Sequence, residues 1–222
     1  MYFQITTRCN MTCAHCCFSA TRVGTDMSLE TFKAALRLAE RRDEYLVIGG
    51  GEPTVHPQFL EFLGLAIVHD PMPDITPLVI TNGKRKQVAL RLAQLARNGV
   101  VQAELSIDEW HDPVAEQVVE AFDRPERGYH ERPVRDLRGI RTVRNIVPVG
   151  RAVTKGVATE AQGCCCENLL VDPEGRLFAC GCKTIQLGTV AAPEFPEDYS
   201  PEWAHTEEAQ EWVEARRGAL AA

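Results

Sequence analysis

Short apolar runs alternate with amphipathic stretches along the first half of this chain, and few folds accept that rhythm. Tyr2 to Thr6, Tyr45 to Ile48, Pro77 to Ile80 and Val101 to Ile107 have the length and content of buried strands. Between the first two, Ser28 is placed to cap a helix that runs to about Arg42 with Phe32, Ala35, Leu36 and Leu38 on one face. Pro57 to about His69 and Gln87 to Asn98 predict two more helices, the second closed by Gly99. Pro113 to Phe122 predicts a further helix and Ile140 to Val147 one further strand. Strands joined through helices lie parallel with right-handed crossovers, so the fold class is α/β. Such sheets place their chemistry at the C-terminal ends of the strands.

The first strand leads straight into Cys9-Asn10-Met11-Thr12-Cys13-Ala14-His15-Cys16, a C-x-x-x-C-x-x-C loop. Three thiolates this close can hold three corners of an iron-sulfur cube, which normally takes four Cys. The fourth iron then has no local protein ligand, and an open metal position is what separates a working site from a structural one. A zinc site completed from elsewhere is the alternative, although zinc favours paired C-x-x-C knuckles. Disulfides fit poorly. The nine Cys are an odd number, no secretory signal precedes the motif, and a chain of 222 residues can bury its own core without staples. Reduced Cys without a signal point to the cytoplasm, and no run approaches the roughly 18 apolar residues of a membrane span. The net charge of −7 argues against a protein that coats nucleic acid broadly.

Three strand ends carry further polar or Gly-rich groups. Gly49-Gly50-Gly51-Glu52-Pro53 follows the second strand, and its glycines let a ligand approach bare backbone. Thr81-Asn82-Gly83 follows the third, and Ser106 and Asp108 end the fourth. Each of these is also ordinary turn chemistry.

Taken together, the three-Cys loop and Gly50-Gly51-Glu52-Pro53 about forty residues later resemble the radical S-adenosylmethionine (SAM) superfamily. The resemblance implies a partial (β/α) barrel of about five or six parallel strands over residues 1–152. Five strands can be counted, so either the barrel is truncated or a sixth strand lies between Tyr129 and Leu137. It further implies a [4Fe-4S] cluster on Cys9, Cys13 and Cys16, with His15 where the family usually has an aromatic residue. Gly50, Gly51, Glu52 and Pro53 would hold the methionine amino group of SAM, Asn82 would lie in the cofactor site, and Ser106 and Asp108 would lie near its ribose. A Pro148-x-Gly150-Arg151-Ala152 element is similar to one that closes the barrel in members with extra clusters.

The last third holds a second Cys group. Asn168 to Val171 and Arg176 to Ala179 flank an Asp172-Pro173-Glu174-Gly175 turn and read as a β-hairpin between Cys164-Cys165-Cys166 and Cys180-Gly181-Cys182. From Cys165 the spacing C-x9-G-x4-C resembles the opening of the auxiliary-cluster regions called SPASM and twitch, and the shorter twitch type implies a second [4Fe-4S] cluster within 153–222. Cys180 and Cys182 with two of Cys164, Cys165 and Cys166 are the expected ligands, and tetrathiolate zinc is the alternative. A spare thiol of that run is a candidate hydrogen donor to a substrate radical, its alternative being a small buried hydrophobe. Pro201 to about Arg217 predicts a terminal amphipathic helix.

The resemblance implies reductive cleavage of SAM to a 5′-deoxyadenosyl radical, with flavodoxin or ferredoxin as the electron donor. Peptide modification (epimerisation or crosslinking) is the favoured outcome, and a small metabolite or nucleobase is the alternative. A non-catalytic Fe-S or zinc module is the reading of another class. Arg124 to Lys155 carries eight Arg and one Lys against Glu126, Glu131 and Asp136, with Arg132, Arg135, Arg138, Arg141 and Arg144 at every third position. That stretch is either a solvated face or a surface for an anionic partner such as a nucleic-acid strand.

Overall fold

The computed structural model describes residues 1–69, 76–123, 136–161, 169–197, 199–200 and 203–220. Five β/α units come first: β1 (Tyr2–Gln4), α1 (Leu29–Arg41), β2 (Val47–Gly49), α2 (Phe59–Val68), β3 (Leu78–Thr81), α3 (Lys86–Arg97), β4 (Gln102–Ser106), α4 (Glu116–Phe122), β5 (Arg138–Arg141) and α5 (Arg151–Lys155). Then follow β6 (Leu170–Val171), β7 (Arg176–Phe178), β8 (Gln186–Thr189) and α6 (Glu207–Leu220). They build one eight-stranded sheet in the order β5-β4-β3-β2-β1-β6-β7-β8.

The sequence rhythm accounts for most of this. Ser28 does cap α1, its hydroxyl accepting from the Thr31 amide at 3.1 Å, and the helix buries Phe32, Ala35, Leu36 and Leu38 as its spacing requires. Phe32 stacks on Phe62 of α2 with ring centroids 4.2 Å apart and meets Phe3 of β1 edge-on, so both helices lock onto the same face of the sheet.

One expectation needs correction. The fifth strand is not Ile140 to Val147 but Arg138–Arg141, paired with β4. Past Arg141 the backbone finds other partners: the Val143 amide donates to the Asp108 carboxylate and the Ile146 amide to the Thr159 hydroxyl. A chain whose amides are taken by side chains cannot continue a ladder. β6 pairs parallel with β1 on the side away from β2, which gives six parallel strands among the described residues. The stretch between Tyr129 and Leu137 falls mostly outside the described residues. β6 opens the hairpin read from the sequence, because β7 runs antiparallel beside it, and an unexpected strand, β8, follows antiparallel on β7. The Cys-flanked hairpin therefore extends the same sheet.

Of the regularly spaced Arg, the two described on β5, Arg138 and Arg141, do not share a face. Arg132 and Arg135 lie outside the described residues. Arg138 turns inward, pairing with the buried Asp136 at 2.7 Å and donating to the Ala121 carbonyl, whereas Arg141 lines a cavity at the other end of the strand. Neighbouring parities of a strand point to opposite faces, so a three-residue period there cannot form a stripe.

Candidate active site

All five β/α strands end at a cavity of about 550 Å³, within the range of ordinary small-molecule sites. Its lining includes Cys9, Cys13 and Cys16 from the loop after β1, Gly50, Gly51 and Glu52 after β2, Asn82 after β3, Ser106 of β4 and Arg141 of β5. His15, Cys17 and His111 join them. Residues placed in one site by sequence reasoning from four separate strand ends thus meet in space. Pro53 lies behind the wall, in the short 3-10 turn Pro53–Val55.

The three-Cys loop is held from two sides. Gly51 and Glu52 donate backbone hydrogen bonds to the Thr6 and Arg8 carbonyls, both at 2.8 Å. This approach is why position 51 is glycine: a Cβ there would stand 2.2 Å from the Arg8 carbonyl oxygen. On the far side, Arg151 of α5 donates from its amide to the Cys16 carbonyl at 2.9 Å and from its guanidinium to the Cys13 and Ala20 carbonyls. Gly150 before it has φ +62° and packs against the Cys17 carbonyl. The Pro148-x-Gly150-Arg151-Ala152 element is thus a clasp on the Cys loop, a role its sequence did not disclose. Arg151→Met should lower stability by about 1.5–3 kcal/mol, the range for hydrogen bonds from charged donors, read as a drop in denaturation midpoint. Iron retention after gel filtration should fall with it.

Glu52 is 1% exposed, and its carboxylate ties the turn after β2 to the end of β3. Oε1 accepts from the Thr54 amide and hydroxyl and from the Thr81 hydroxyl at 3.1, 2.6 and 2.7 Å, and Oε2 accepts from the Asn82 amide at 2.7 Å. Burial pushes its pKa up, and the donors oppose that. Asn82 in turn donates to Asn10 and points its amide at Cys9.

Asp108 is oriented differently from what a ribose contact alone would ask. Burial raises its pKa, but hydrogen bonds from His111 at 2.7 Å, the Trp110 amide at 2.9 Å and the Val143 amide outweigh burial and hold it low. His111, three residues on, then lies 5.0 Å from His15, ring to ring. The His15, Asp108 and His111 side chains approach within 4.8 Å of one another. Burial lowers the His15 pKa, and its Nδ1 is buried without a hydrogen-bond partner among the described residues. Of the pair read from sequence, Ser106 lines the cavity, whereas Asp108 is not part of its lining. His111 was missed; its signal was the D-x-x-H spacing from Asp108.

The donor set suits a metal cluster. Burial pushes the Cys13 thiol up to about 11, with Cys9 and Cys16 adding to the shift, and burial likewise raises Cys9 and Cys16. Half-buried thiols that resist ionisation gain from a cation bound beside them, since metal ligation favours the thiolate, and cluster iron would supply it. None of the described cysteines is in a disulfide. Of the second group, Cys180 is buried and Cys182 partly exposed at the β7–β8 turn, while Cys164, Cys165 and Cys166 lie outside the described residues.

Comparison with known proteins agrees with this geometry. Residues 3–149 match the Radical SAM superfamily. The chain belongs to that family. Membership implies a [4Fe-4S] cluster and SAM, and the three-Cys cavity fits both. Mycofactocin maturase MftC of Mycobacterium tuberculosis is 34% identical over 110 residues, which is 48% of this chain and 26% of the relative. MftC of Mycobacterium ulcerans is 32% identical over 108 residues, covering 28% of its length. The match to these curated relatives therefore spans about a quarter of them. Among solved structures, the radical SAM chain resembles BtrN in complex with AdoMet and 2-DOIA, with TM-score 0.58, 14% identity, and coverage of 95% of this chain and 83% of that one. At that identity the likeness speaks for the fold, a partial barrel. No helix among the described residues is long and apolar enough to cross a membrane.

Proposed function

We propose that this chain is a radical SAM enzyme that modifies a peptide in the cytoplasm. One observation carries the reading: the thiols of Cys9, Cys13 and Cys16 line one cavity walled by a Gly-rich turn and three further strand ends. A reduced [4Fe-4S] cluster with SAM, when bound there, supplies a 5′-deoxyadenosyl radical able to take hydrogen from carbon. The chain's own part is to hold and orient. Cys9, Cys13 and Cys16 ligate; bare backbone at Gly50 and Gly51, framed by Glu52 and Pro53, receives the amino group of SAM; Ser106 serves the ribose, with Asp108 acting through His111; His15 offers a flat ring beside the cluster.

The peptide reading draws on the twitch-like Cys spacing and on relatives named as maturases. In it, Cys180 and Cys182 with two of Cys164, Cys165 and Cys166 hold a second cluster, and a remaining thiol of that run gives hydrogen back to the substrate radical. Flavodoxin or ferredoxin supplies the electron. A second reading, a small metabolite, draws on BtrN, whose structure holds 2-DOIA. A cell extract that accelerates 5′-deoxyadenosine formation separates them. Protease digestion of the extract should abolish the stimulation. Survival of the activity in the dialysable, protease-treated fraction would favour the metabolite, and loss with nuclease would favour a nucleic acid.

A further inference from the structure

Among the described residues, the Cys9 sulfur receives two hydrogen bonds of different kinds. The Met11 amide donates at 3.4 Å, a local bond that the loop itself makes. The other comes from Asn82, 73 residues away at the end of β3, whose Nδ2 lies 3.7 Å from Cys9 Sγ. The neighbours of Cys16 and Cys13 that act on their sulfurs by hydrogen bonding are backbone groups. Asn82 is thus the side-chain donor aimed at a sulfur of the three-Cys loop.

The direction of that amide is fixed by its surroundings. A backbone N–H can only donate, and the Lys84 amide meets Asn82 Oδ1 at 3.0 Å, so the oxygen is on that side. The opposite Nδ2 has two hydrogens. One goes to Asn10 Oδ1 at 2.8 Å, which leaves the second for Cys9 Sγ. Asn82 is 7% exposed, and its own amide is anchored at 2.7 Å to the buried Glu52 carboxylate. The donor is therefore preset by the fold and screened from water.

Donors to ligating sulfur stabilise the electron-rich reduced state more than the oxidised one, and are among the levers that set Fe-S potentials. We propose that Asn82 is a positioning residue that raises the reduction potential of the cluster held by Cys9, Cys13 and Cys16 through its N–H···S bond to Cys9. The Gly50-Gly51-Glu52 turn then has a second purpose, since Glu52 holds Asn82 in place. This inference rests on the reading that Cys9 is a cluster ligand.

Two variants test it, each loaded anaerobically and titrated against dithionite with mediators, the one-electron signal being followed by electron paramagnetic resonance. The signal scored is the one absent from the Cys9, Cys13, Cys16 triple Ala variant. Asn82→Leu keeps the bulk and removes the donor. Asn82→Asp keeps the shape and the acceptor for Lys84 but cannot donate. At the wild-type midpoint, both should show the ratio of reduced to oxidised cluster falling about tenfold, which is 59 mV for a one-electron couple. The shift should appear without substrate or turnover. Two loaded variants that reduce at the wild-type potential would overturn the proposal. Failure of both to load would also contradict it, making Asn82 a determinant of assembly. A triple Ala variant that keeps every iron and every reduced-cluster signal of the wild type would instead sink the ligand assignment beneath it.

Discussion

Alanine at Cys9, Cys13 and Cys16 together is expected to remove one whole cluster and all SAM cleavage. The three thiols supply every protein ligand that the loop offers, and each lies on the wall of the same cavity. If they hold the cluster as proposed, losing them removes the electron donor and the anchor of SAM together, so the loss should be complete. The fold should survive. Cys9, Cys13 and Cys16 are only partly buried, none is in the core built on Phe3, Phe32 and Phe62, and the loop keeps its backbone bonds to Gly51, Glu52 and Arg151. Iron analysis then reads the second Cys group directly. About four irons should remain if Cys180, Cys182 and two of Cys164, Cys165 and Cys166 hold a cubane. A triple variant that carries zinc and no iron would make the hairpin site structural.

The second large effect is expected at Glu52, and its sign follows from counting donors. Glu52→Ala leaves the Thr54 amide and hydroxyl, the Thr81 hydroxyl and the Asn82 amide without their acceptor in a region closed to water. Each such loss costs about 1–3 kcal/mol, so the sum is on the order of 4 kcal/mol or more. That is a large fraction of the 5–15 kcal/mol by which domains are stable. Glu52→Gln should fall between, because its carbonyl can still serve Thr54 and Thr81 while its NH2 group confronts the Asn82 N–H. Chemical denaturation should rank the proteins wild type, Gln, Ala. Equal midpoints for wild type and Ala would show that the carboxylate is not the keystone between β2 and β3.

Much of the fold was legible because periodicity and caps are local. Ser28, the apolar face of α1 and the strand runs around Val47, Val79 and Ala103 are stated by neighbours in sequence. What was not legible depends on distant partners. Leu170 and Val171 carry no mark that says they will lie parallel to Tyr2 and Phe3, because a two-residue strand has no period to read. The fifth strand ends earlier than its apolar run suggests because Asp108, 35 residues before Val143, takes the Val143 amide. In the site, residue identities could be read from motifs and their links could not. Arg151 stood in a quoted motif, yet its grip on the Cys13 and Cys16 carbonyls is a long-range contact. Glu52 and Asn82 were each assigned to the cofactor site, but the sequence is silent on the bond between them and on the path from Asn82 to Cys9.

The central claim is that the cavity at the strand ends is a radical SAM site, and one assay on the unmodified protein tests it most directly. Protein reconstituted with iron and sulfide under anaerobic conditions is mixed with SAM and dithionite, and the products are separated. The account predicts 5′-deoxyadenosine and methionine in equal amounts, formed only by iron-loaded protein. Protein that retains zinc, takes up no iron and leaves SAM intact under those conditions would contradict it.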